Sequence, residues 1–177
     1  MTIRCQQEAT IVSEASVVHA RNVLRILSGV LALVVFVADQ VTKALVARSV
    51  SEHAVIPIIP GFLNLTHTKN PGAAFSLFAD SPAPWKTALL VIVSAALLVA
   101  VAWLVLRSGQ LQLGSGVGLA LIIGGAASNL LDRIRAGMVV DFVDVYFRTY
   151  HWPAFNLADS AIVVGAGFLL LHYIRAD

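Results

Sequence analysis

Four long apolar blocks divide this chain, separated by polar stretches of unequal length. The plainest is Thr87–Leu106, twenty uncharged residues between Lys86 and Arg107. Leu111–Leu131 is likewise uncharged and ends on Asn129, Asp132 and Arg133. The outer two blocks are interrupted. Thirteen residues separate Arg25 from Asp39, or roughly 20 Å of helix against a hydrocarbon core of about 30 Å. The first helix must therefore continue through Asp39-Gln-Val-Thr-Lys43. Fifteen residues separate Asp159 from Arg175, or roughly 22 Å. The last helix is accordingly predicted to start near Ala154, with Asp159 about a turn inside it. The pattern predicts four transmembrane helices over 22–48, 87–106, 111–133 and 154–174 in a single membrane domain.

The connections differ from one another. Residues 1–21 read as a polar tail on the membrane surface, and the first apolar block as a retained anchor, not a removed leader, because it runs on into Asp39 and Lys43. Residues 49–85 hold β-branched residues and partial alternation over 54–68, which predicts short strands outside the membrane. Asn70-Pro71-Gly72 is a turn signal, since Pro presets φ and Gly tolerates positive φ. Arg107-Ser-Gly-Gln110 predicts a tight loop, and 134–153 a second long one. The third block is rich in glycine, alanine and serine, which lets helix backbones approach closely and is expected to leave room for a peptide beside Gly124, Gly125 and Ala126. Gly165 and Gly167 are placed on the packing side of the last helix.

Four spans put both termini on one side of the membrane. The same parity gathers Asp39, Lys43, Asn129, Asp132, Arg133, Asp141 and Asp159 on the other, beneath both long loops. Composition agrees with an integral membrane protein: 58% of residues are apolar and 12% charged, against about 25% charged in soluble domains, and mean hydropathy is +0.84. The formal charge of +2 and the lack of a basic cluster argue against a nucleic-acid partner. Cys5, the single cysteine, has no intrachain partner. Arginine and lysine number seven on the site face and five on the other. That count favours a cytoplasmic site, whereas Arg21 and Arg25 ahead of the first helix favour an inward N-terminus.

An acid held at membrane depth is costly and points to function. Two carboxyls close together cannot both ionise, so one can activate water while the other donates a proton. Asp132, Asp141, Asp144 and Asp159 are the candidates. Asp132 is followed at once by Arg133, so an internal ion pair or a helix-end contact is expected. Asp144 lies three residues from Asp141 and points to the opposite face of an extended segment. Asp141 and Asp159 remain. Against a catalytic role, Asn156-Leu-Ala-Asp159 also reads as a helix cap, and Asp39 and Lys43, four apart in the favourable order, read as a structural ion pair. The five histidines show no metal-ligand spacing, and no serine stands in a nucleophile turn.

Five blocks in order then resemble the bacterial lipoprotein signal peptidases (signal peptidase II). They are Asp39-Gln-Val-Thr-Lys43; Asn70-Pro-Gly-Ala-Ala-Phe-Ser76; Gly124-Gly-Ala-Ala-Ser-Asn-Leu-Leu-Asp-Arg133; Val139-Val-Asp-Phe142; and Ala154-Phe-Asn-Leu-Ala-Asp-Ser-Ala161. The resemblance implies an all-α integral membrane protein of four helices, with a small extracytoplasmic β platform and a second periplasmic loop over the site. It also implies a metal-free and cofactor-free aspartyl endopeptidase of the bacterial inner membrane, with cytoplasmic termini. Such an enzyme cleaves prolipoproteins just before a diacylglyceryl cysteine and is sensitive to globomycin. Asp141 and Asp159 take the catalytic positions. Asn70, Gly72, Asn129, Arg133 and Asn156 take supporting ones, with Asp39, Lys43 and Asp132 shaping the site. The rival readings are a small proton-coupled transporter and a non-catalytic membrane scaffold. The acids clustered at one surface, and the absence of broken or repeated helices, argue against the transporter.

Overall fold

A computed structural model describes residues 2–71, 84–107 and 113–176 of the chain. Gly72 therefore lies outside the described residues, as do Ala73 to Ser76 and the loop at Ser108–Gln110. Helix α1 runs Thr2–Ser49, 48 residues or roughly 72 Å. Residues 1–21, expected as a polar tail, are instead helical from Thr2 onward. No glycine or proline falls between Thr2 and Arg21, so nothing in the sequence stops the helix from extending beyond its apolar part. Strands β1 (Val55–Ile59) and β2 (Leu63–Asn70) follow, matching the expected strands over 54–68. Then come α2 (Pro84–Arg107), α3 (Leu113–Ala136), β3 (Val139–Phe147), β4 (Tyr150–His151) and α4 (Leu157–Ala176). Among the described residues, three helical stretches are long and apolar enough to cross a bilayer: Val18–Ser49, Leu113–Ala136 and Leu157–Arg175. Helix α2 carries a shorter apolar run, Ala88–Val101.

Helix α3 is the centre of the bundle and packs on α1, α2 and α4. Gly118, Gly124 and Gly125 are used up in that packing. A methyl placed on Gly125 would fall 2.5 Å from the Ala158 carbonyl oxygen of α4, and one on Gly124 would collide with Ala32 of α1. The room expected beside these residues for a peptide is thus filled by neighbouring helices. Gly165 packs on Gly118, whereas Gly167 faces open space and is not a packing residue.

The connection 134–153, expected as a covering loop, is mostly strand. It completes an antiparallel sheet of order β1-β2-β3-β4. Gly137 lets α3 stop where it does: at φ 71° its N–H donates to the Arg133 carbonyl at 3.0 Å, a left-handed helix cap. The β2–β3 register then sets the site. Thr68 pairs with Asp141 and Asn64 with Asp144, with a bulge between Leu65 and Thr68. One extra residue on β2 flips the parity of the strand, so β2 serves Asp144 on one face and Asp141 on the other.

Helix α4 begins at Leu157, not near Ala154. The two residues before Leu157 are committed elsewhere. Phe155 bridges to Val143 on β3, and Asn156 caps the helix. The twenty residues to Ala176 still give roughly 30 Å, so the span is completed at its far end.

Candidate active site

Four elements converge where α4 starts. Asp141 projects from β3 and is 3% exposed. Asn70, its diagonal neighbour across the β2–β3 ladder, donates from Nδ2 to Asp141 Oδ2 at 3.0 Å. Asn156 donates from Nδ2 to Asp141 Oδ1 at 2.7 Å. Burial pushes the Asp141 carboxyl up to about 6. The bond from Asn70 opposes the rise, the charge of Asp159 adds to it, and Asn156 and Lys43 oppose it further.

Asp159 stands in the first turn of α4. The capping expectation is met in full: the Asp159 N–H donates to Asn156 Oδ1 at 2.9 Å, and the Asn156 N–H returns to Asp159 Oδ2 at 3.3 Å, a reciprocal capping box. The other oxygen, Oδ1, accepts from Asn129 Nδ2 of α3 at 2.8 Å. Capping therefore occupies one side of the carboxylate and leaves the group facing the site. Asn156 Nδ2 also reaches Asn129 Oδ1 at 3.3 Å. Two asparagines thus bridge the two aspartates.

Behind this bridge lies a buried charged cluster. Lys43 uses all three of its donors: Asp39 Oδ2 at 2.6 Å, Asp132 Oδ2 at 2.6 Å and Asn129 Oδ1 at 2.7 Å. Asp39 is wholly buried. Its Oδ1 accepts the Ala158 N–H at 2.8 Å and its Oδ2 accepts Ser128 Oγ at 2.6 Å. Helix α1 thereby supplies a cap to α4, and the expected Asp39–Lys43 pair sits within a larger network. Asp132, expected in an ion pair or helix-end contact beside Arg133, bonds Lys43 and Gln40 across to α1. The reason is direction: neighbouring residues on a helix point about 100° apart, and Asp132 faces α1. Arg133 donates from Nη1 to the Asn129 carbonyl at 3.1 Å.

Asp141, Asp159, Asn70, Asn129 and Arg133 line one cavity of about 690 Å³. Ile162 and Val163, one turn along α4 from Asp159, make part of its apolar lining, and Trp152, Pro153, Ala154 and Phe155 make a wall. From the sequence, Ser128 has only a packing role, and Gln40 and the Trp152–Phe155 wall have no role in the site. Ser128 and Asp132 are spaced i, i+4, as are Asp39 and Lys43, and matching those two spacings would have found Ser128. Among the described residues, no group of three or more His, Cys, Asp or Glu is arranged to hold a metal ion.

Comparison with known proteins bears on this arrangement. Residues 31–175 match the family described as signal peptidase (SPase) II. The chain is 47% identical over 141 residues to the lipoprotein signal peptidase of Desulforapulum autotrophicum, covering 80% of this chain and 87% of that one. It is 46% identical over 141 residues to that of Geobacter sulfurreducens, with the same coverage. The fold is similar to a bacterial membrane enzyme solved by the in meso method at 2.3 Å, with a TM-score of 0.75 and 32% identity over 84% of this chain and 87% of that one. A match to one peptidase family across all the elements that build the cavity sets aside the transporter and scaffold readings. This integral membrane protein belongs to the signal peptidase II family.

Proposed function

We propose that the protein is an aspartic endopeptidase of the bacterial inner membrane. It removes the signal peptide from diacylglyceryl-modified prolipoproteins by cutting on the N-terminal side of the lipidated cysteine. The observation that carries this reading is that Asp141 and Asp159, from a strand and a helix, line one cavity and are joined through Asn156 and Asn129. Asn70, Asn129, Asn156 and Arg133 hold and orient the pair, and Lys43, Asp39 and Asp132 fix Asn129 and the start of α4.

The chemistry follows from one proton shared by two acids. The ionised carboxylate takes a proton from water as its oxygen attacks the scissile carbonyl carbon, and the protonated carboxyl donates to the carbonyl oxygen. Collapse of the resulting diol breaks the C–N bond and returns a proton to the leaving amine. The pair titrates as a unit, and burial brings Asp141 near the neutral form that this requires. The apolar lining from Ile162, Val163 and Phe155 suits the side chains of a signal peptide. A cysteine anchored by acyl chains delivers its scissile bond to the membrane surface, the level at which α4 begins. The termini then lie in the cytoplasm and the sheet on the outer face. Globomycin occupies the same cavity and inhibits.

The test is cleavage by purified protein in detergent. A diacylglyceryl-modified prolipoprotein should yield a product beginning at the modified cysteine, identified by mass spectrometry, and globomycin should suppress it. Cleavage elsewhere in the chain, or none, refutes the reading.

A further inference from the structure

A second polar cluster lies on the face of β3 opposite Asp141. Asp144, 8% exposed, accepts Asn64 Nδ2 at 2.8 Å and His151 Nδ1 at 2.9 and 3.0 Å on its two oxygens. The His151 ring stacks on Tyr146, with centroids 5.0 Å apart and planes 9° from parallel. The Tyr146 hydroxyl accepts the Gly61 N–H at 2.7 Å. The cluster thus ties β4 to β3, and β3 to the β1–β2 turn.

An ion pair whose histidine is half exposed contributes little to stability, so stability does not account for a buried acid here. What the cluster holds is the chain immediately after it. Trp152 to Phe155 follow His151 directly and wall the cavity that Asp141 and Asp159 line. Backbone bonds pin this strap at its ends: Trp152 N–H to the Val145 carbonyl at 2.8 Å, and Phe155 N–H to the Val143 carbonyl at 3.0 Å. The Phe155 carbonyl also accepts the Phe142 and Val143 N–H groups at 3.0 and 2.8 Å, and Pro153, between the two ends, has no N–H to give. Strand β4 is two residues long, so the clasp stands directly where the strap leaves β3.

We propose that the Asp144–His151 clasp is a positioning device that holds the Trp152–Phe155 wall against the cavity and so sets the affinity for the peptide flanking the scissile bond. His151 and Asp144 touch neither aspartate of the pair, so they act on binding and not on the chemical step. The donor at Nδ1 is present in the imidazolium and in one neutral tautomer, so the clasp does not depend on histidine charge.

This inference rests on the peptidase reading for its kinetic arm, and a second readout is independent of turnover. Trp152 becomes the sole tryptophan when Trp85 and Trp103 of α2 are replaced by Phe, and acrylamide quenching of its fluorescence then reports how tightly the wall is held. His151→Ala should increase that quenching and raise KM about fivefold or more, with kcat within about twofold of the parent. His151→Asn, which keeps a donor near the Nδ1 position, should restore both. Unchanged quenching and KM in His151→Ala, a loss confined to kcat, or failure of His151→Asn to restore either would overturn the proposal. If the parent protein cleaves nothing, the peptidase reading fails, and quenching alone still decides whether the clasp holds the wall.

Discussion

At the scale of single residues, the site is a matter of which polar atoms have partners. Asp141 is buried and accepts two amide donors, and the cost of burial outweighs them, so folding favours its neutral form. Its folded value of about 6 lies above the unfolded value of 3.8. The folded state therefore binds the proton more tightly, and the associated stability is complete below about pH 4 and lost as pH rises through about 6. The size is on the order of 3 kcal/mol. Asp141→Asn should accordingly raise the melting temperature in detergent at pH 8, and the gain should disappear at pH 4. A gain independent of pH would show that the buried carboxylate is not strained. Lys43 is the opposite case, a buried cation with three acceptors. Lys43→Met leaves Asp39 and Asp132 without their counter-ion and should cost about 3–5 kcal/mol, read as a large fall in melting temperature. The i, i+4 spacing made the Asp39–Lys43 pair legible in the sequence. The contacts to Asp132 and Asn129 were not, because they cross from α1 to α3 over more than eighty residues of chain.

At the scale of elements, the first turn of α4 has two jobs that the sequence presents as alternatives. Asn156-Leu-Ala-Asp159 reads as a cap or as part of a site, and one carboxylate oxygen of Asp159 serves the cap while the other faces Asn129. The start of α4 was misplaced by three residues because apolar length counts depth and ignores tertiary demands on Ala154 and Phe155. The β2 bulge was likewise invisible: a one-residue insertion carries no composition signal, yet it decides that Asn70 meets Asp141 and Asn64 meets Asp144. Helix α3 shows the same limit. Its small residues signalled close packing, but not against what. With the Ala158 carbonyl 2.5 Å from a methyl on Gly125, Gly125→Val should cost about 1–3 kcal/mol by overpacking. It should also impair turnover, since Ala158 adjoins Asp159. A Gly125→Val protein with parental melting temperature and turnover would contradict this packing role.

At the scale of the whole molecule, the count of apolar blocks fixed more than any motif. Helix α3 packs on α1 and α4 so that the end of α1, the end of α3 and the start of α4 meet, and this places the acids together before any side chain is considered. Charge counts could not orient the bundle, because cations such as Lys43 and Arg133 belong to the site and do not flank a span as topology signals. The sheet was half legible: β-branched residues and partial alternation over 54–68 marked β1 and β2, whereas the long connection after α3 hid β3, whose buried acids break the apolar pattern of a strand. The account as a whole depends on Asp141 and Asp159 acting as one pair. Its most direct test is turnover of a diacylglyceryl-modified prolipoprotein by Asp141→Asn and Asp159→Asn, each checked for a cooperative melt. Either change alone should lower kcat by about a thousandfold or more, with KM little altered. Substantial cleavage by either folded variant would contradict the paired mechanism.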